Sequence, residues 1–213
     1  MADVLPRTVN VDADGLSLPG EFAIPEPVIG VVVFAHGSGS SRRSPRNVRV
    51  AERLWAEGLG TLLFDLLTDD EAGDRGKVFD IALLARRLEG AVGWLRSERD
   101  ARQLPIALFG ASTGAAAALV AAAHLGSDVA AIVSRGGRPD LAGDALEAVT
   151  APTLLIVGGA DLQVLELNRQ AQARMRCETR LEIVPGATHL FEEPGALDRV
   201  AELAAAWFDD HVG

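Results

Sequence analysis

The sequence predicts a doubly wound α/β fold built on a mostly parallel sheet, and three observations support this prediction. From Ile29 onward, short continuous apolar runs recur along the chain. Longer segments with helical periodicity separate these runs, and the part before Ile29 instead alternates apolar and polar residues. Continuous apolar runs are typical of strands buried on both faces of a parallel sheet, and their alternation with helices indicates successive βαβ units.

Two antiparallel strands are predicted before the parallel part. Arg7–Val11 alternates apolar and polar residues, as a half-buried strand does. Leu16–Ile24 is a second candidate strand, which Pro19-Gly20 interrupts and which Pro25 and Pro27 end. The sheet is therefore expected to begin with an antiparallel edge.

Six buried strands and five helices are expected in the rest of the chain. The strands are Ile29–Ala35, Thr61–Phe64, Ile106–Phe109, Val129–Val133, Thr153–Val157 and Leu181–Val184. The helices are Arg46–Glu57, Phe79–Leu95, Ser112–Leu125, Leu165–Met175 and Leu197–Phe208. The third of these helices consists almost entirely of small apolar residues, so we expect it to be buried. We expect a single domain over residues 1–213, with sites at the carboxyl ends of the strands.

Composition and charge exclude several classes of partner. The chain has 213 residues, with 30 acidic and 20 basic side chains and a formal net charge of −10. Because an acidic surface repels phosphate backbones and anionic membranes, we expect no nucleic-acid and no membrane partner. The sequence has no metal-ligand spacing, so we expect no metal and no cofactor. We expect a small-molecule partner and a monomer or homodimer.

The single cysteine and the N-terminus bear on the compartment. Cys177 has no second cysteine to pair with and is interpreted as structural. Met1–Pro6 has neither the basic nor the apolar region of a secretory signal. The apolar run Ala115–Ala123 is too short to span a bilayer and is typical of a packed helix. We therefore expect a cytoplasmic protein.

The most informative motif is Gly110-Ala111-Ser112-Thr113-Gly114, which lies between a predicted strand and a predicted helix. A G-x-S-x-G sequence in this context is typical of a nucleophile elbow. The sharp reversal of the chain exposes the Ser112 hydroxyl at a helix N-terminus, where aligned amides favour developing negative charge. We predict Ser112 as a nucleophile; the alternative is a Gly/Ser turn that caps a helix.

A serine nucleophile needs a base and an acid that orients the base, and in this fold they follow the serine in the order acid, histidine. Asp161 follows the strand Thr153–Val157, and His189 follows the strand Leu181–Val184. We predict a triad of Ser112, Asp161 and His189. Asp140 is the rival acid, and the other histidines, which fit the base less well, are His36, His124 and His211.

An oxyanion hole is expected beside the elbow. It should combine the amide of Thr113 with an amide from the loop after the first parallel strand. In that loop Ser38 is the preferred donor and Gly37 is the alternative. We interpret the preceding His36 as a residue that shapes the loop.

Several arginines are candidates for binding a carboxylate of the substrate. Arg42 belongs to the basic stretch Ser41–Asn47, and Arg135 and Arg138 follow the strand Val129–Val133. All three are expected near the site. The alternative is that they pair with local acids or cap helix ends.

These motifs resemble those of the dienelactone hydrolase family in the α/β-hydrolase superfamily. The resemblance runs from about Ile29 to Phe208 and rests on four blocks. They are His36-Gly-Ser-Gly-Ser-Ser-Arg, Phe109-Gly-Ala-Ser-Thr-Gly, Ser134-Arg-Gly-Gly-Arg-Pro-Asp and His189-Leu-Phe-Glu-Glu-Pro-Gly. The resemblance implies an α/β-hydrolase fold and the triad. It does not imply dienelactone as substrate, because dienelactone hydrolases have a nucleophilic cysteine where this chain has Ser112, and no arginine directly follows His189.

The expected function is hydrolysis of small carboxylic esters, thioesters or lactones through an acyl-enzyme. The segment Ser134–Pro152, where a lid usually lies in this superfamily, leaves room for only a short helix, so we expect no lid domain and an open site. Similar domains are sometimes fused to a phosphoribosyltransferase, and none is expected here. Two alternatives remain: acyl transfer or perhydrolysis on the same triad, or a non-catalytic ligand-binding protein of this fold.

Overall fold

An eight-stranded sheet forms the centre of the protein in a computed structural model that describes residues 4–213. The strands are β1 (Arg7–Ala13), β2 (Leu16–Ala23), β3 (Gly30–Ala35), β4 (Leu59–Phe64), β5 (Ile106–Ala111), β6 (Ala131–Arg135), β7 (Thr153–Gly158) and β8 (Thr179–Val184). Their order in the sheet is β1-β2-β4-β3-β5-β6-β7-β8. The pairs β1–β2 and β2–β4 are antiparallel and the remaining pairs are parallel, as predicted.

Within residues 4–213, seven α-helices connect and cover the sheet. They are α1 (Pro45–Trp55), α2 (Asp69–Ala72), α3 (Arg75–Val78), α4 (Ile81–Ser97), α5 (Thr113–Leu125), α6 (Leu162–Arg174) and α7 (Ala196–Val212). One hydrophobic core lies between the sheet and α4 and α5, and a second lies between the sheet and α1 and α7. Coverage of both faces explains why the central strands β3 to β7 are buried throughout.

The helix α5 is buried as its composition predicts. Ala115, Ala116, Ala117 and Ala118 are fully buried, and the helix packs against both β5 and α4. Because alanine adds only a methyl group, the helix axis can approach the sheet closely. This approach determines where the N-terminus of α5, and with it the turn from β5, lies.

The strand β2 differs from its prediction because it is not interrupted at Pro19-Gly20. Pro19 has no N–H to donate, but its carbonyl accepts a hydrogen bond from the Asp65 amide at 3.0 Å. A Cβ on Gly20 would lie 3.2 Å from both the Phe64 and Val9 side chains. The glycine thus allows close packing against the neighbouring strands, and the strand continues through both residues.

The predicted burial of Leu181–Val184 on both faces is wrong. This segment belongs to β8, which is one of the two edge strands of the sheet and is buried only at Val184. Ile183 is 41% exposed. On the same face Leu181 packs against Val164 and Leu165 of α6, so this helix covers only part of the edge strand. Glu182, in the middle of the run, breaks the apolar pattern, and its partly buried carboxylate pairs with Arg180.

Two short helices were not predicted, and both begin at side-chain caps. The Thr68 hydroxyl accepts the Glu71 amide at the start of α2, and Asp74 accepts the Gly76 amide at the start of α3. Between β6 and β7 only the 3-10 segment Pro139–Glu147 occurs, so the chain has no lid domain there.

Among residues 4–213, no helix has the length and apolar character needed to cross a bilayer. The prediction made for Met1–Pro6 falls partly on residues 1–3, which lie outside the described residues.

Candidate active site

The turn between β5 and α5 holds Ser112 in a strained backbone conformation. Its φ is +52°, a value that non-glycine residues rarely adopt. A Cβ on Gly110 would lie 2.4 Å from the Ala115 Cα, and one on Gly114 would lie 2.2 Å from the Ala35 carbonyl oxygen. Both flanking glycines are therefore sterically required, as expected for a nucleophile elbow.

Backbone hydrogen bonds from the β6 end fix this turn. The Ser112 amide donates to the Arg135 carbonyl at 3.2 Å, and the Arg138 amide donates to the Ser112 carbonyl at 3.1 Å. The loop after β6 therefore supports the elbow on one side. A further hydrogen bond, from the Asn168 side chain to the Gly137 carbonyl at 3.0 Å, ties this loop to α6.

The structure brings Ser112, His189 and Asp161 together in one hydrogen-bonded chain. His189 Nε2 lies 3.3 Å from Ser112 Oγ, and His189 Nδ1 lies 2.8 Å from Asp161 Oδ2. An ionised carboxylate can only accept hydrogen bonds, so Nδ1 carries the proton and Nε2 accepts from the serine hydroxyl. This is the tautomer in which the imidazole can remove a proton from Ser112.

Close contact between two loops positions the acid and the base. The Ala160 amide donates to the Ala187 carbonyl at 2.9 Å, which joins the loop after β7 to the loop after β8. A Cβ on Gly158 would lie 2.3 Å from that same carbonyl oxygen, so only glycine allows the approach. Two residues 28 positions apart in sequence, Asp161 and His189, thereby reach hydrogen-bond distance.

The predicted oxyanion residues also meet beside the elbow. The Ser38 amide donates to Thr113 Oγ1 at 2.9 Å, so the loop after β3 contacts the first residue of α5. A Cβ on Gly37 would lie 3.0 Å from both the Ala111 carbonyl oxygen and Ser112 Cβ. From the sequence, only the amide of Thr113 was predicted to take part in the site. The contact made by its hydroxyl was missed, although a hydrogen-bonding side chain directly after the predicted nucleophile was a visible signal.

His36 holds the loop after β3 in place through two hydrogen bonds. Its Nδ1 donates to the Gly37 carbonyl at 3.1 Å, and its Nε2 accepts from the Leu66 amide at 3.1 Å. Burial lowers the pKa of His36 below its ordinary value, while the Gly37 carbonyl and Asp65 oppose this effect. The neutral imidazole therefore joins the ends of β3 and β4 and holds the loop, in agreement with the loop-shaping role predicted for it.

The alternative acid and bases have other partners. Asp140 accepts two hydrogen bonds from Arg138, at 2.8 and 2.7 Å. His124 lies 2.7 Å from Glu89, and His211 Nδ1 donates to the Trp207 carbonyl at 2.8 Å. The structure brings none of these residues into the hydrogen-bonded chain at Ser112.

Arg42 and Arg138, two of the candidates for binding a substrate carboxylate, both have carboxylate partners within the protein. The side chain and amide of Arg42 both donate to Asp65, and its Nε lies 4.0 Å from Glu21. Arg138 is held by both oxygens of Asp140. Pairing of both guanidinium groups with local acids is the alternative that the sequence left open.

Arg135 differs from these two arginines. Its side chain is buried, and its Nη1 has no hydrogen-bond partner among the described residues. Burial and the nearby charge of Arg46 lower the pKa of Arg135 to about 10. The guanidinium is therefore still charged at neutral pH. Arg46 was not singled out as a site residue in the sequence, although it lies in the basic stretch Ser41–Asn47.

A cavity of about 520 Å³ adjoins the oxyanion residues. Its lining includes Ser38, Thr113 and Arg46, and Leu67 and Val78 contribute apolar surface. The cavity thus runs from the elbow toward the N-terminus of α1. Within residues 4–213, no group of three or more acidic, histidine or cysteine side chains could hold a metal ion.

The sheet order and the serine elbow define this chain as an α/β-hydrolase. It belongs to the dienelactone hydrolase family, whose family model matches residues 18–210, so the predicted family is confirmed. Membership of this family indicates a hydrolase.

Two solved structures illustrate the similarity. A dienelactone hydrolase from Anabaena variabilis is 52% identical and superimposes with a TM-score of 0.96, covering 99% of both chains. Est1E from Butyrivibrio proteoclasticus shares the fold at 17% identity, with a TM-score of 0.81 over 95% of this chain and 98% of that one.

Curated relatives from two Mycobacterium tuberculosis strains are 59% identical over 204 residues. Each bears the name "Putative phosphoribosyl transferase". The match covers 96% of this chain but 46% of the relatives, so the chain spans about half the length of the curated relatives it matches. The name describes those longer proteins.

Proposed function

We propose that this protein hydrolyses small carboxylic esters, thioesters or lactones through an acyl-enzyme on Ser112. One observation carries the proposal: Ser112 Oγ, the His189 imidazole and the Asp161 carboxylate form a continuous hydrogen-bonded chain at 3.3 and 2.8 Å. Such a chain converts a weakly nucleophilic hydroxyl into an attacking group at neutral pH.

The reaction follows from the tautomer of His189. Nε2 takes the proton from Ser112 as Oγ attacks the carbonyl carbon, and the resulting imidazolium is stabilised by Asp161. The tetrahedral intermediate collapses, and His189 gives the proton to the leaving alcohol or thiol. A water molecule then attacks the acyl-enzyme by the same steps, which releases the acid and restores Ser112.

The oxyanion of each tetrahedral intermediate lies beside the N-terminus of α5. The amide of Thr113 is one donor, and the amide of Ser38, with Gly37 as the alternative, is the other. In the free protein the Ser38 amide donates to the Thr113 hydroxyl. Substrate binding must therefore shift or share this hydrogen bond as negative charge develops on the carbonyl oxygen.

The absence of a lid between β6 and β7 favours small or extended substrates. The adjoining cavity of about 520 Å³ is lined by both polar and apolar residues. Est1E, which shares the fold, has been solved with ferulic acid bound. Esters of aromatic acids therefore belong in a substrate panel beside short aliphatic esters.

The test is an assay of purified protein against p-nitrophenyl acetate, short methyl esters, a thioester and a lactone. We expect turnover of at least one class, with acid release and no net transfer in water. If acyl transfer to an added alcohol or to peroxide predominated over hydrolysis, the triad would serve a different reaction. The absence of turnover on every class would contradict the proposed function and favour a non-catalytic ligand-binding protein.

A further inference from the structure

Arg135 ends β6 on the face of the sheet that α1 covers, directly beside the elbow. Its Cα is paired with that of Ala111, and its carbonyl accepts the Ser112 amide. Its side chain lies on the same side of the sheet as Phe109, with the guanidinium carbon 6.0 Å from the ring centroid. The guanidinium is therefore a neighbour of the proposed nucleophile but does not belong to the hydrogen-bonded chain of the triad.

This guanidinium has no counter-charge among the described residues. The residue Arg135 is 8% exposed, its Nη1 is buried without a hydrogen-bond partner, and its side chain makes no ion pair within residues 4–213. The Phe109 ring lies at the outer limit of a cation–π contact and does not replace a carboxylate. Burying an unpaired cation opposes folding, so such a group is typical of a ligand-binding site.

Arg46 adds a second positive charge at the same place. It lies in the first turn of α1, and its charge acts on Arg135. Its Nε is buried without a partner, and its only carboxylate neighbour in the described chain is Glu192 at 3.6 Å, which is 67% exposed. The guanidinium groups of Arg46 and Arg135 repel each other, and an anion bound between them would offset this repulsion.

The cavity joins Arg46, one member of this pair, to the oxyanion residues of the proposed reaction centre. Arg46 and Pro45, the first residue of α1, line the same cavity as Ser38 and Thr113. The positive end of the α1 dipole lies there too. A substrate whose carbonyl oxygen lies at Thr113 can therefore extend within one continuous space to Arg46, whose charge acts on the buried Arg135.

We propose that Arg135 and Arg46 form an anion subsite, and that the substrate of this hydrolase carries a carboxylate or phosphate group that this subsite holds. The claim that this anion is part of the substrate rests on the proposed ester hydrolysis. The binding of an anion by the two arginines does not depend on catalysis. Guanidinium groups bind both oxyanions through charge-assisted hydrogen bonds, so the choice between carboxylate and phosphate belongs to the experiment.

The kinetic test compares matched esters that differ in charge. Glutarate monomethyl ester is paired with methyl pentanoate, and the acetate ester of 2-hydroxyethyl phosphate is paired with that of 2-methoxyethanol. We expect wild-type protein to prefer the anionic member of one pair, which identifies the group. Arg135→Met should lower kcat/KM for that member about 10- to 100-fold and change the neutral member less than about threefold. Arg46→Met should give a smaller loss with the same selectivity.

Arg49→Met is the matched control, because Arg49 lies one turn further along α1, is exposed and pairs with Asp198. It removes the same charge and should leave the ratio of anionic to neutral ester unchanged. If Arg135→Met does not fold, Arg135→Lys tests the same claim, since it keeps the charge but loses the planar fork. The subsite is overturned if the ratio of kcat/KM for the anionic ester to kcat/KM for the neutral ester stays within about threefold of wild type in the Arg135 and Arg46 variants.

A binding measurement separates this claim from the proposed function. In the Ser112→Ala variant, glutarate or inorganic phosphate should raise the Tm, and adding Arg135→Met should remove that increase. Arginine-dependent binding without any ester turnover would leave the subsite standing and reject ester hydrolysis. Turnover at Ser112 that neither arginine variant changes would support ester hydrolysis and reject the subsite.

Discussion

Replacing Ser112 with alanine is expected to lower kcat for ester hydrolysis about 10⁶-fold, to the level that binding and the oxyanion donors alone provide. The reason is chemical, because the substitution removes the hydroxyl oxygen that lies 3.3 Å from His189 Nε2 and that this nitrogen is proposed to deprotonate. The measurement is kcat on the best ester of the panel. Alanine also fits the strained elbow about as well as serine does, so the Tm should change little.

The control for this prediction is Ser127→Ala. Ser127 is exposed and lies just beyond the C-terminal end of α5, whereas Ser112 precedes its first residue. It should retain wild-type kcat. An unchanged kcat in Ser112→Ala would mean that the hydrolysis occurs elsewhere or by another nucleophile.

Replacing Asp161 with asparagine is expected to lower kcat about 10⁴-fold while the fold is retained. The carboxylate accepts the Nδ1 proton of His189 at 2.8 Å, and this keeps Nε2 free to accept the serine proton. An asparagine amide that donates to Nδ1 favours the opposite tautomer, with the proton on Nε2 facing Ser112. The measurement is kcat across pH, since loss of the carboxylate also removes its stabilisation of the imidazolium.

Asp140→Asn is the matched control, because Asp140 was the rival acid in the sequence and its carboxylate is bound to Arg138. Its kcat should stay within about tenfold of wild type. A larger loss in Asp140→Asn than in Asp161→Asn would exchange the two assignments.

Strand positions were predictable where burial alone determines the pattern. The continuous apolar runs around Ile106–Phe109 and Thr153–Val157 identified β5 and β7, because strands covered by helices on both faces have no polar side. The run at Leu181–Val184 identified β8 but not its exposure. Which strand lies at the edge depends on the order of the strands in the sheet, and local composition does not encode that order.

The candidate triad could be predicted because its order along the chain follows from the topology. Ser112, Asp161 and His189 each follow a parallel strand, and the carboxyl ends of parallel strands meet at one edge. Which side chains then touch is a separate question. The hydrogen bond from the Ser38 amide to Thr113 joins residues 75 positions apart and required coordinates.

The partners of the three candidate arginines also could not be predicted from the sequence. Arg42, Arg135 and Arg138 have equivalent signals in sequence, but only Arg135 lacks a carboxylate partner in the described chain. The partner of Arg42 is Asp65, which the fold brings from the end of β4. A charge that the fold leaves unpaired is a tertiary property, so it could be found only after the acids had been located.

Covalent labelling tests the central claim most directly. A fluorophosphonate reacts with an activated serine, and mass spectrometry of the digested protein locates the phosphonyl group. We predict one adduct, on the peptide that contains Ser112, formed quickly by wild-type protein and about 10⁴-fold more slowly by Asp161→Asn. An adduct on a different serine, or no adduct in a correctly folded wild-type sample, would contradict the activation of Ser112 by His189 and Asp161.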